Sequence, residues 1–346
     1  MKIKLRFAIW IVVVELLVGL PTNSEARKDY TLEDFRYFKP MIADIRTQIH
    51  QMRFYRSDAI DFSNAEAIED HLFWDVSYGG SFPIYGYNFE YDSEKGPAEN
   101  SMEISGITTF IETSAHMLLD FDAESDSVIS MDFRIGGGVS LRLPRWFKNI
   151  AFRYKFFHES THLGDEYALD AVRLFPVDFR RYNVSYEAHD LFASLDHYTP
   201  WGKKGLPFRI AYLRGYGGHR FFTKEGSFPE FNGQGGPLKA SDNESQVGAE
   251  IYLRGWEKQS GPLLFRRLKF QYLVAAADFY YRDRYDLDTP EKIWSTNFVV
   301  GVVYGYLFEG KRTLKFLLNY YNGVHPHGQL RNGEIQYVGI SVATDF

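Results

Sequence analysis

Strict alternation of apolar and other side chains, sustained over long stretches, constrains this chain more than any other feature. Phe298, Val300, Val302, Tyr304, Tyr306 and Phe308 occupy every second position of one run. Leu314, Phe316, Leu318 and Tyr320 do the same in the next, opposed by Lys315, Leu317, Asn319 and Tyr321. Ile107, Ile111, Ala115, Met117 and Leu119 oppose Glu112, Ser114, His116 and Asp120, and Ile129, Met131, Phe133, Ile135, Val139 and Leu141 oppose Asp132, Arg134 and Ser140. Between Arg267 and Tyr280 the apolar row is Leu268, Phe270, Tyr272, Val274 and Ala276. A period of two is the signature of a β-strand with two unlike faces. A strand in a soluble domain runs about 5–6 residues, whereas about ten are needed to cross a bilayer at a tilt. These runs match the second length.

The chain ends on such a run. Val338, Ile340, Val342, Thr344 and Phe346 alternate with Gly339, Ser341, Ala343 and Asp345, and this final amphipathic strand resembles the assembly signal of bacterial outer-membrane barrels. Counting back from it, strands are expected near 312–321, 292–308, 265–282, 244–256, 205–216, 178–195, 147–160, 127–143, 104–121, 81–92 and 70–79. The total is twelve, an even number as bacterial barrels require, within a range of about 10–14. Residues 93–103 are long for a turn on the periplasmic side. That length leaves open a second arrangement, with a strand at 49–56 and one bent strand over 70–92. The fold class is therefore all-β, a transmembrane antiparallel β-barrel.

Composition agrees. Aromatic residues make up 17% of the 346 residues, yet mean hydropathy is slightly negative, as expected when each lipid-facing residue is matched by a lumenal polar one. The basic start MKIKLR, a short apolar run and Ser24-Glu25-Ala26 read as a cleaved secretory signal over 1–26. Residues 27–69 are then a periplasmic lead-in with room for a first strand, and 70–346 the barrel. With no cysteine there is neither a disulfide nor a lipidated thiol. A net charge of −6 and no basic patch exclude a nucleic-acid partner. The expected location is the outer membrane of a Gram-negative-type bacterium. The expected partners are outer-membrane lipid or lipopolysaccharide, and the barrel-assembly machinery during insertion.

The densest polar stretch is FFHESTHLGDEY at 156–167. His158-Glu159-Ser160-Thr161-His162 spells the zinc-protease pattern, but that pattern needs a helix to bring both imidazoles to one face. The preceding residues alternate and Gly164 follows at once, so the stretch is read as a strand. On it, His158, Ser160 and His162 continue the lipid-facing row of Phe152, Tyr154 and Phe156, near the extracellular end. His-x-Ser on one side of a strand can set an imidazole to take the proton of a nucleophilic hydroxyl. Parity on the next strand makes Val184, Tyr186 and Ala188 look lipid-facing, which turns Asn183, Ser185 and Glu187 inward unless a bulge intervenes.

Outer-membrane phospholipase A and one type of lipid A deacylase are barrels that this pattern resembles. The resemblance implies Ser160 as nucleophile, His158 as base and Asn183 as orienting group. A resemblance covering nearly the whole mature chain rests on IADIR at 42–46, YGGSFP at 78–83, FFHESTHLGDEY, RYNVSYE at 181–187, VGAE at 247–250 and NGVHPHGQ at 322–329. These are similar to a family of outer-membrane barrels, domain of unknown function 1207. It implies the barrel and its location and carries no activity over.

Plainer readings stand beside these. Glu159, Asp165, Glu166 and Asp170 can form a solvated loop pinned by His158 and His162. Asp165 and Glu166 are also the candidates for a calcium site, for which the chain supplies about half the six to eight oxygens wanted; no other cofactor is expected. His325, His327 and Gln329 fall in the last extracellular turn, and Glu187 joins them as a rim candidate. Inward Glu112, His116, Asp120, Asp132, Arg134, Arg153 and Lys155 are expected to form a lumenal charge network. Three functions follow: a structural or ligand-binding surface barrel, a lipid-directed acyl hydrolase, or a narrow solute channel.

Overall fold

The structure, a computed structural model, describes residues 37–47, 49–57, 71–89, 105–122, 127–144, 147, 149–165, 184–198, 209–223, 243–254, 270–284, 291–305, 313–331 and 333–345. Twelve strands close into one antiparallel barrel: β1 (His50–Ser57), β2 (His71–Asn88), β3 (Gly106–Asp120), β4 (Ser127–Arg142), β5 (Ile150–Leu163), β6 (Ser185–Tyr198), β7 (Arg209–Phe222), β8 (Asn243–Arg254), β9 (Tyr272–Arg284), β10 (Glu291–Tyr304), β11 (Thr313–Val324) and β12 (Glu334–Asp345). Each strand pairs with its sequence neighbours, and β1 closes the ring on β12, with His50 opposite Thr344. The number is as expected, and the second arrangement of the first strands is the one adopted. β1 occupies 50–57, and 71–88 is a single strand with a register shift between Pro83 and Tyr85. Proline has no N–H to give to a ladder, which explains an irregularity at that point.

The outer wall is the apolar row of the sequence. Ile340 is 63% exposed, Val338 60% and Ile135 59%, with Phe316, Leu318, Phe298 and Val300 also exposed. So large an apolar exterior is stable only against lipid. Aromatic pairs such as Trp294 with Tyr281, ring centroids 5.0 Å apart, and Phe54 with Trp74, at 5.7 Å, sit on that wall. Three expected outward groups are corrected. Ile129 is buried inside, next to the register shift between Leu118 and Leu119. On β9, Tyr272, Val274 and Ala276 face the lumen, where they pack against Ile42, Ala43 and Ile49. On β6, Val184, Tyr186 and Ala188 are buried and Ser185 and Glu187 face out.

These corrections share one cause: the lumen is a packed core. We call the rim where β12 ends the near rim and the opposite one the far rim. Residues 37–47 run inside the barrel from the near rim. Such irregular backbone survives inside a barrel only if its polar groups find partners. Arg142 Nη2 donates to the Tyr37 carbonyl at 2.8 Å, and Arg214 Nη1 to that of Pro40 at 3.2 Å. The Ile42 N–H donates to Glu250 Oε1 at 2.8 Å, and Asn297 Nδ2 donates to the Ala43 carbonyl at 2.7 Å. From the far rim the β11–β12 connection folds inward and buries His325, His327, Gln329 and Leu330. The last residues of β11, which lead into it, need Gly323, whose φ is +146° and where a Cβ would meet Ser295 Cα at 2.4 Å.

Candidate functional site

β5 keeps one parity through the whole of FFHESTHL. Phe152, Tyr154 and Phe156 are exposed on the outer wall, and His158, Ser160 and His162 follow on the same side, while Phe157, Glu159 and Thr161 are buried. His158 and His162 therefore lie on the opposite face from Glu159, so the three cannot share a zinc ion with the carboxylate as base. Among the described residues no group of three or more ligating side chains is placed to hold a metal. Asp165 is exposed at the end of β5, and Glu166 lies outside the described residues, as does Asn183.

Ser160 Oγ stands 3.1 Å from His162 Nε2, and His158 Nε2 stands 3.5 Å from Ser185 Oγ on β6. The structure thus pairs Ser160 with the histidine two residues on, rather than with the one two residues before. Glu187 lies directly across the ladder from His158, and Ser185 directly across from Ser160. Directly opposed side chains on one face are about 4.5–5.5 Å apart at Cβ. A carboxylate and a second hydroxyl therefore border the imidazole where parity from sequence had turned both away.

The patch continues around the wall. Tyr154 OH is 2.8 Å from His189 Nδ1, which also lies against the Phe156 ring at 4.9 Å between centroids. His219 Nδ1 is 2.8 Å from Ser245 Oγ across β7 and β8. Four outward imidazoles are each paired with a hydroxyl, all in the far-rim halves of their strands. Phe133 opposite Ser160 and Ile135 opposite His158 keep the flank apolar, at 46% and 59% exposure. A neutral imidazole bonded to a hydroxyl is the least costly way to place polar atoms on a wall facing lipid, and the cost falls towards the rim. His189, His219 and Ser245 were missed from sequence and Ser185 was turned inward, although Phe221 and Val247 fix the outward parity of His219 and Ser245.

The remaining rim candidates belong to the interior. His325 and His327 are each 1% exposed and Gln329 7%, so they form no solvent-facing turn. The connection is short and carries groups complementary to lumenal carboxylates, which draws it inside. Gln329 Nε2 donates to the Thr161 carbonyl at 3.0 Å, and a Cβ on Gly328 would meet Thr161 Cγ2 at 2.3 Å. Glu159 accepts from Arg134 Nε and from Tyr186 OH, each at 2.8 Å. The expected charge network is present: Lys155 Nζ lies 2.9 Å from Glu112 Oε1 and 3.4 Å from Asp190 Oδ2, and Arg153 stacks over Phe38 at 4.6 Å.

A family model described as "Protein of unknown function (DUF1207)" matches residues 21–229 and 254–346. No curated relative matches the chain. Among solved structures, the barrel is similar to outer membrane phospholipase A from Escherichia coli, with 9% identity, a TM-score of 0.48 and coverage of 91% of this chain and 96% of that one. It is similar to the transport unit of the autotransporter AIDA-I from Escherichia coli, with 11% identity, a TM-score of 0.41 and coverage of 92% and 99%. It is also similar to LpxR from Salmonella typhimurium, with 11% identity, a TM-score of 0.33 and coverage of 86% and 100%. These likenesses concern the barrel fold alone.

Proposed function

The chain belongs to the DUF1207 family, and from that premise we propose that it is an outer-membrane barrel that works through its wall and binds lipid at the cell surface. Residues 1–26 act as the export signal, the barrel-assembly machinery inserts the chain by its final strand, and the near rim faces the periplasm. The observation that carries the reading is the patch of four outward imidazoles, each hydrogen-bonded to a hydroxyl, on a barrel whose lumen is occupied by residues 37–47 and the β11–β12 connection. Imidazole N–H and hydroxyl groups at headgroup level can donate to phosphate and ester oxygens, as lipopolysaccharide and phospholipid present.

A second reading is favoured by one distance. With Ser160 Oγ 3.1 Å from His162 Nε2, the wall can hydrolyse a lipid acyl ester. Ser160 Oγ would attack the acyl carbonyl while its proton passes to His162 Nε2. The alkoxide leaving group takes that proton as the ester C–O bond breaks. Water activated by the same imidazole then cleaves the acyl-serine.

One experiment separates the two. Purified full-length barrel is offered lipid A and phospholipid, and both retained lipid and released fatty acid are measured. Binding predicts that His158→Ala with His162→Ala loses about tenfold or more of the lipid retention, about 1.4 kcal/mol, with no fatty acid released by any form. Hydrolysis predicts release by wild type that falls at least about 100-fold in Ser160→Ala. Equal retention by wild type and the double variant, without release, removes both readings.

A further inference from the structure

The two inward segments meet at one atom. Asp132 Oδ2, on β4 and wholly buried, accepts from Arg46 Nη1 of the N-terminal segment at 2.8 Å. The same oxygen accepts from the Gly328 N–H at 3.1 Å, and His327 Nδ1 lies 3.4 Å from it. His327 Nε2 in turn lies 3.6 Å from Asp75 Oδ1 on β2. A shared apolar cluster backs this contact: Ile45 of the N-terminal segment and Leu330 of the β11–β12 connection pack with Phe73, Leu118, Ile129 and Leu163 of the wall.

We propose that these segments are two halves of one latch, such that displacing either from the lumen unseats the other and an event at the near rim is reported at the far rim. The sign follows from solvent. With both halves in place the ion pairs around Asp132 lie in a dry interior, where a charge pair is worth several times its value in water. If the N-terminal segment leaves, water enters from the near rim, Asp132 and His327 are rehydrated, and the cluster that buries Leu330 loses Ile45. The loss then favours release of the β11–β12 connection. Coupling of this kind is reciprocal, since both displacements draw on one interaction free energy.

The chain has no cysteine, so single thiols report each half. Leu330→Cys, 1% exposed in the native barrel, reports the far half, and Met41→Cys, 2% exposed, the near half. Both are labelled in proteoliposomes with a membrane-impermeant maleimide added at the appropriate rim. The N-terminal segment is ejected by Ala43→Arg, at a wholly buried position in a different apolar cluster from Leu330, with Ala43→Gly as the seated control. The β11–β12 connection is ejected by Gly328→Val, through the clash with Thr161. Heat-shifted gel mobility verifies that each barrel is closed. The latch predicts that Ala43→Arg speeds labelling of Leu330→Cys, and Gly328→Val that of Met41→Cys, each by about tenfold and within the roughly 5–150-fold of ordinary coupling. Unchanged or slower labelling in a closed barrel overturns it. If Ala43→Arg does not close, the Gly328→Val arm decides alone.

Discussion

His327 carries a charge prediction at the scale of a single residue. Burial alone would lower its pKa, but the carboxylates of Asp132 and Asp75 outweigh burial and hold it above the ordinary histidine value. His325 is opposite: burial, with the His327 cation beside it, pushes it well below that value. The groups facing the pair are Asp75 on β2, His116 on β3, Asp132 on β4, Arg282 on β9 and Arg46 of the N-terminal segment. The raised His327 stabilises seating fully below the ordinary value, and that contribution is lost as pH rises through its folded value. The lowered His325 stabilises seating above the ordinary value, and that contribution is lost as pH falls towards its folded value. Seating of the β11–β12 connection is therefore tightest at a pH of about 6.5. Amide exchange at Gly328 and Leu330, corrected for intrinsic pH dependence, is expected to be slowest there and faster on both sides. His327→Gln removes the alkaline arm only. A monotonic profile in the wild type contradicts this assignment.

At the scale of the element, β5 was legible because its outer row begins with Phe152, Tyr154 and Phe156 and its inner row carries Arg153, Lys155 and Glu159. Parity alone then placed His158, Ser160 and His162 on the wall. It failed on β6 and β9, where the inner row opens with Val184, Tyr186 and Ala188 or with Tyr272, Val274 and Ala276. Those residues are apolar because they pack against other lumenal groups, not against lipid. Asp190 and Asp278, further along the same rows and both buried, reveal the true parity. The pairing of Ser160 with His162 depends on rotamers, and residues 37–47 enter the lumen through long-range contacts. Neither leaves a periodic trace. A nitroxide scan of positions 156–163 tests the parity of β5. Oxygen, which partitions into lipid, is expected to relax labels at 156, 158, 160 and 162, with the intervening positions protected. A period near 3.6 would refute the strand.

At the scale of the whole molecule, two segments enter the cylinder from opposite rims and, among the described residues, leave the outer wall as the surface open to lipid. The interior is costly to disturb. Removing one member of a buried ion pair leaves a charge without compensation and costs about 3–5 kcal/mol, which makes Arg46, Asp132 and Glu159 structural whatever the wall does. A solute channel needs a water-filled path, and the hydrogen bonds that residues 37–43 accept from Arg142, Arg214 and Asn297 and donate to Glu250 hold the N-terminal segment across it. Single-channel recording of the full-length barrel in planar bilayers therefore tests the sealed-lumen account most directly. The account predicts no steady conductance from the wild type, and openings when Ala43→Arg is recorded in its place. A wild-type barrel that conducts continuously would mean that the lumen, not the wall, is the working surface.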